Sequence, residues 1–174
     1  MTRGPWLLES VYRQHFKAVW RLLRRLGVPA AQLDDAAQDV FLVVQKKLPQ
    51  LRPEASPQSW VFGITVRVAS EYRRRSLWRR ADPIAEDVID PALNPGRQLE
   101  MQEAVALLHA LLAQLDEKKR EVFVLAELEQ LSAPEIVEVL GVNLNTVYAR
   151  LRAAKREFDA ALVRRAASER RRRA

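Results

Sequence analysis

The sequence predicts an all-α protein: two small helical domains joined by an acidic linker, the second a four-helix domain with a helix-turn-helix. Three observations carry that expectation. Apolar residues recur three and four apart through most of the chain, which is helical spacing. The segment ADPIAEDVIDPALNPG breaks the rhythm with Asp82, Glu86, Asp87 and Asp90, three prolines, a glycine and no basic residue. Beyond it, Leu131 to Phe158 reads as two short helices about a tight turn.

The first helix is expected over Pro5 to Leu26, with Leu8, Tyr12, Phe16, Val19, Leu23 and Leu26 along one side. Gly27 and Pro29 end it. His15 lies within it and reads as a packing or surface residue. A second helix, about Asp34 to Leu48, buries Ala37, Val40, Phe41, Val44 and Leu48. Asp35, Gln38, Asp39 and Lys46 point away, and Leu42 points away with them. An apolar side chain among carboxylates on a solvent face fits a protein-binding patch, although single exposed leucines are common. Asp35 and Asp39 also have the i, i+4 spacing of a metal pair, but no third ligand or basic catalytic partner stands near.

The loop PQLRPEASP follows, and Ser56 with Pro57 opens a third helix as cap and first-turn proline. Its interior stripe is Trp60, Ile64, Val68 and Tyr72. It ends in Arg73, Arg74 and Arg75, then Trp78, Arg79 and Arg80. Basic residues interleaved with aromatics suit single-stranded nucleic acid, where charge follows the backbone and rings stack on bases. A solvated helix end favoured by its dipole would show the same run. The acidic segment has little to bury and reads as a flexible linker over 81–98, dividing 1–80 from 99–165.

In the second half, helices over Leu99 to Leu115 and Asp116 to Glu129 form a platform. The first buries Val105, Leu108, Leu111, Leu112 and Leu115, and the second Val122, Phe123, Leu125 and Ala126. His109 has no ligand-like companions. Ser132 and Glu135 then make a capping box with Pro134 in the first turn. Ile136, Val139 and Leu140 give that helix an apolar face, and Gly141 supplies the corner. From about Asn143 a further helix places Val147, Leu151, Ala154 and Phe158 on one stripe at roughly 100° per residue. Asn145, Tyr148, Arg152 and Arg156 fall opposite, with Ala149 among them and Lys155 at the edge. One buried side and one polar, basic side suit the major groove, where Arg pairs with guanine edges or phosphates. An ordinary amphipathic helix with a solvated basic face is the plainer alternative. The tail, 166–174, is dominated by arginine and is expected to be frayed, with a non-specific pull on phosphates.

Composition narrows the function classes. A net charge of +7 and a pI near 10.2 favour a polyanionic partner or an anionic surface. The absence of cysteine excludes disulfides, thiol redox chemistry and cysteine-ligated zinc. The N-terminal stretch becomes charged too soon for a signal peptide, and no segment approaches the length of a membrane span, so a cytoplasmic protein is expected. No Gly-rich phosphate loop, nucleophile elbow or histidine–carboxylate cluster supports catalysis, so no enzyme, cofactor or metal is expected.

Three stretches in order across the acidic linker carry a resemblance: DDAAQDVFLVVQKKL, SWVFGITVRVASEYRRR and KKREVFVLAELEQLSAPEIVEVLGVNLNTVYARLRAAKREF. Together they resemble a bacterial extracytoplasmic-function (group IV) sigma factor, over nearly the whole chain. That resemblance implies a first domain that binds the β′ clamp of core RNA polymerase and captures the non-template strand of the minus-10 element. The clamp-binding match is Asp35, Gln38, Asp39 and Leu42. The minus-10 match is the loop from Gln50 to Ser56, including Arg52 and Ser56, with Trp60 and the helix end Tyr72, Arg73, Arg74 and Arg75. Capturing an extruded base stabilises the open strand without ATP hydrolysis. It implies a second domain that meets the β flap and reads duplex minus-35 DNA. Tyr148 and Arg152 would reach base edges or their vicinity, with Ala149 and Arg156 on the same face. Asn145, Thr146, Arg150 and Lys155 would mainly hold phosphates. An anti-sigma protein is an implied partner, and membrane insertion is not.

The chain departs from the family pattern at named positions. Asp116 and Asn143 stand where proline is common, and both are good N-caps. Val68 stands for a frequent asparagine, so base preference at minus-10 does not carry across. Ala149 offers the groove only a methyl group. Two other classes remain: a stand-alone helix-turn-helix regulator, and a nuclease using Asp35 and Asp39. The first leaves Leu42 and the basic aromatic helix without a purpose. The second requires a divalent metal.

Overall fold

The computed structural model describes residues 7–52, 56–76 and 95–173. Trp78, Arg79, Arg80 and the linker through residue 94 lie outside the described residues, as do 53–55 of the minus-10 loop. Among the described residues the fold is helical throughout: α1 (Leu8–Arg25), α2 (Leu33–Lys47), α3 (Pro57–Ser76), α4 (Pro95–Leu112), α5 (Glu117–Phe123), α6 (Ala133–Leu140) and α7 (Leu144–Arg173).

Local chemistry sets the element boundaries. Gly27, at φ 90°, turns the chain after α1. Asp116 caps α5 by accepting the Lys119 N–H at 3.0 Å. The helix expected to run on to Glu129 widens into a π turn over Val124–Leu128, with the Glu129 N–H bonded to the Val124 carbonyl. Ser132 and Glu135 form the reciprocal capping box, and Gly141 closes α6 at φ 65°. Asn143 caps α7 by accepting the Thr146 N–H at 2.8 Å.

Two boundaries differ from the sequence reading. Residues 95–98, assigned to the linker, already belong to α4, whose first turn tolerates Pro95. The arginine tail is not frayed: α7 continues as one helix to Arg173. Charge repulsion along it is offset in part by Glu169, which pairs with Arg165 at 3.2 Å.

Helices α1 to α3 form one bundle, and α5 to α7 form the core of the second. The two do not stand apart. A continuous buried cluster runs from Val19 and Leu22 through Phe62 to Ile136, Val139 and Val147. The cause lies in α3, which is apolar nearly all round: beyond the expected stripe it buries Val61, Phe62, Val66 and Ala69. Such a helix needs neighbours on every side. Helices α1 and α2 cover one side and α6 covers another. The approach is close at Gly63, where a Cβ would lie 3.6 Å from the Val139 carbonyl oxygen.

Candidate polymerase and promoter-DNA surfaces

Three surfaces hold the residues that the sequence singles out. On α7 the buried stripe packs as expected: Val147 and Ala154 are fully enclosed, and Phe158 stacks on Phe123 at 4.7 Å between ring centroids. The opposite face is left bare. Asn145, Tyr148, Ala149, Arg152 and Arg156 are exposed, Tyr148 by 50%, while Thr146 and Arg150 are half-buried at its margin. Lys155 is exposed but paired with Glu127 at 2.8 Å, which fixes it against the platform.

The α2 surface is also presented. Asp35 and Gln38 are exposed and Leu42 is exposed by 54%. Beside them, between α1 and α2, runs an apolar groove of about 640 Å³ whose floor is Phe16 and Phe41. Tyr12, expected to point inward, is instead exposed on the groove's rim, in ring contact with both phenylalanines. The three- and four-residue spacing through Leu8, Tyr12 and Phe16 could not foresee this, because Val11, His15 and Leu22 take inward positions with Val19 and Leu23. Burial lowers the pKa of His15, consistent with a neutral packing residue.

Asp39 and Tyr72 need correction together. Tyr72 was assigned to the minus-10 surface, yet it is only 9% exposed and its hydroxyl donates to Asp39 Oδ2 at 2.6 Å. Burial, and then the Asp39 carboxylate, push the phenol pKa up to about 12. Tyr72 is therefore a strut between α3 and α2, and Asp39 is half-buried rather than fully presented. An i, i+4 reading of α2 alone cannot see a phenol thirty-three residues away. Among the described residues no cluster of three His, Asp or Glu is placed to hold a metal ion.

The basic end of α3 divides. Arg74 and Arg75 are exposed, and Arg75 lies over the Tyr72 ring at 5.6 Å. Arg73 is turned the other way. Its guanidinium donates to the Leu26 carbonyl at 2.6 Å, to Glu121 at 3.1 Å and to Glu117. Its charge is thus met by the second half of the chain, where single-strand phosphates were expected. At the other end of α3, Arg52 and Ser56 are exposed and Trp60 is half-buried. Ser56 Oγ accepts the Ser59 N–H at 3.4 Å. Here a cleft of about 200 Å³ opens, lined by Ser56, Ser59, Trp60, Ile64 and Arg67 on α3, with Lys47 and with Glu138 of α6. Sequence reasoning missed Ser59 and Arg67, because its stripe took only every fourth residue of α3.

Residues 11–80 match Sigma-70 region 2 and residues 106–158 match Sigma-70, region 4. The chain is 32% identical over 150 residues to the ferric citrate uptake sigma factor FecI of Escherichia coli K12, covering 84% of this chain and 85% of FecI. It is 27% identical over 158 residues to the RNA polymerase sigma factor CnrH of Cupriavidus metallidurans, covering 86% and 83% of the two chains. The solved structure of CnrH with the cytosolic domain of CnrY superposes with a TM-score of 0.68 at 26% identity, over 89% of this chain and 86% of that one. The sigma factor RpoE of Bartonella quintana, solved with the anti-sigma factor NepR, shares the fold at a TM-score of 0.70 and 16% identity, over 88% and 95%. With the region 2 bundle, the region 4 helix-turn-helix and relatives matched along most of their length, the chain belongs to the sigma-70 family, as an ECF RNA polymerase sigma factor.

Proposed function

We propose that this sigma factor divides its work among the three surfaces just described. The α2 face around Leu42, with the groove beside it, docks on core polymerase. The α7 face reads the minus-35 duplex. The cleft at Ser56 and Trp60, with Arg74 and Arg75, takes the single strand at minus-10. The observation that carries this reading is the bare α7 face. A capped helix, a left-handed glycine corner and a buried stripe hold Tyr148 and Arg152 outward, the geometry a groove-reading helix needs. Among the described residues no helix is long and apolar enough to cross a membrane. We place the protein in the cytoplasm, where its polymerase works. Because CnrH was solved with the cytosolic domain of CnrY, and RpoE with the anti-sigma factor NepR, we also infer an anti-sigma protein for this chain.

Transcription with purified core polymerase tests the whole reading. Start sites mapped after overproduction supply the promoter. The factor should then direct initiation from that promoter in vitro; a stand-alone regulator binds DNA but cannot initiate. Leu42→Ala should weaken binding in a core-polymerase titration and leave duplex binding through α7 unchanged. Equal polymerase binding by both proteins would remove Leu42 from the docking surface.

A further inference from the structure

The last turns of α7 have no part in the groove-reading face. We propose that they form a second DNA site, indifferent to sequence, which takes duplex phosphates at a fixed distance from Tyr148 and Arg152. The inference rests on the assignment of α7 to minus-35 DNA made above.

Three observations converge on it. First, the helix outruns its module. The Sigma-70, region 4 match ends at residue 158, whereas α7 continues to Arg173, about 22 Å farther. Second, the packed side of α7 changes character where the platform stops. Val147, Ala154 and Ala161 are buried along it, and the next residues on that side are Arg165, Ser168 and Arg172, all exposed. Arg164 still touches the platform, donating to the Gln114 side chain at 3.4 Å. Third, the charge of the chain gathers there. Residues 164–173 hold six arginines against one carboxylate, Glu169, and so supply +5 of the net +7.

The distribution of that charge selects the partner. Arg170, Arg171 and Arg172 are exposed on three sides of the helix, roughly 100° apart, so no apolar stripe is left for a protein neighbour. The helix dipole favours cations only within the last turn, which leaves Arg164 and Arg165 unexplained. All six basic residues are arginine and none is lysine, the choice that suits paired bonds to phosphate oxygens. A polyanion would already lie alongside. Arg152 and Arg170 are eighteen residues apart, about five turns, so they face the same way some 27 Å from each other, roughly eight base pairs of duplex. Between Arg156 and Arg170 that side carries Asp159, Val163, Ala166 and Ala167 and no cation. The arginine end is therefore a separate contact, not a continuation of the reader. A frayed tail would attract phosphates anywhere; an ordered helix gives the attraction a place.

The test compares full-length protein with the triple variant Arg170→Gln, Arg171→Gln, Arg172→Gln. Each is titrated over a salt series with a long duplex carrying the minus-35 sequence of the mapped promoter. Log affinity falls with log salt by about 0.9 for each phosphate neutralised. The variant's slope should be shallower by about 2 to 3, and equally so when the minus-35 sequence is scrambled. Lysine at the same three positions keeps the charge and should keep the slope. When the duplex is shortened stepwise from each end, the unaltered protein should drop to the variant's slope as one end comes within about eight base pairs of the minus-35 element. Equal slopes for the unaltered protein and the glutamine variant on the long duplex would overturn the proposal. A shallow slope in the lysine variant as well would overturn it too, by tracing the effect to the helix and not to its charge. So would unchanged DNA binding with weakened binding to core polymerase, which would give the arginines a protein partner. If the unaltered protein did not prefer the minus-35 sequence to the scrambled one, the reading of α7 as the groove helix would fall instead, while the slopes would still report whether its arginines hold phosphates.

Discussion

The basic end of α3 and the outer face of α7 use the same chemistry: arginines beside a tyrosine on a helix. The fold treats them in opposite ways. On α7, Tyr148 and Arg152 have nothing packed over them. On α3, Tyr72 is tied to Asp39 and Arg73 to Glu117 and Glu121, and only Arg74 and Arg75 remain outside. The difference follows from the other faces of the two helices. Past its narrow stripe α7 is polar, so one bundle suffices to cover it. Helix α3 is apolar on nearly all sides, so it draws in a second bundle, and the arginine at its end is carried into the contact. What a residue can recognise is thus decided by the burial demand of the helix that bears it.

The most damaging way to break this comparison is to remove α3 as the shared element. Phe62 is fully enclosed, and Phe62→Ala should cost about 3–5 kcal/mol in denaturant unfolding. Because α3 is packed by both bundles, α1 to α3 and α5 to α7 should lose protection together in hydrogen exchange. Loss confined to α1–α3 would show that the bundles are independently stable. Next in size, Arg152→Ala should cost about 1–3 kcal/mol of minus-35 affinity and relax specificity at one position. An equal loss on every sequence would reassign Arg152 to phosphate. Smaller again, Ser132→Ala removes one side of the capping box and should cost about 1 kcal/mol. Duplex affinity should fall with it, since α6 seats α7; an unchanged melting temperature would show that the turn does not depend on its cap.

The smallest effect is a pH dependence. Burial lowers the pKa of His15 in the folded state from its usual 6.5. The folded chain therefore binds fewer protons than the unfolded one just below that pH. Stability is complete above about 6.5 and declines as pH falls through the folded value. His15→Gln should flatten that part of the curve in thermal melts, and identical curves would show that another group sets it.

Features governed by neighbours in sequence were legible before any coordinates. The capping box at Ser132 and Glu135, the corner at Gly141, the cap at Asn143 and the exposed Leu42 follow from spacing alone, and all four stand where spacing puts them. Features governed by distant partners were not. Arg73 meets Glu117 across forty-four residues, and no local pattern distinguishes it from Arg74. The signal for the packed halves was present but unread: VFGITVRVA gives water only Arg67, where a helix of a lone three-helix bundle should have a whole polar face. The arginine tail misled for another reason. Charge repulsion suggested fraying, but a helix already nucleated and anchored at Phe158 and Ala161 extends at little further cost.

That unbroken α7 acts as a lever. Its 30 residues span about 45 Å, with Tyr148 and Arg152, the proposed groove readers, near one end and the arginines at the other. A rod of this length converts a small pivot in the groove into a sweep of several ångströms at the far tip. On the proposed reading, a contact to those arginines would set the angle at which Tyr148 and Arg152 enter the groove, without touching a base.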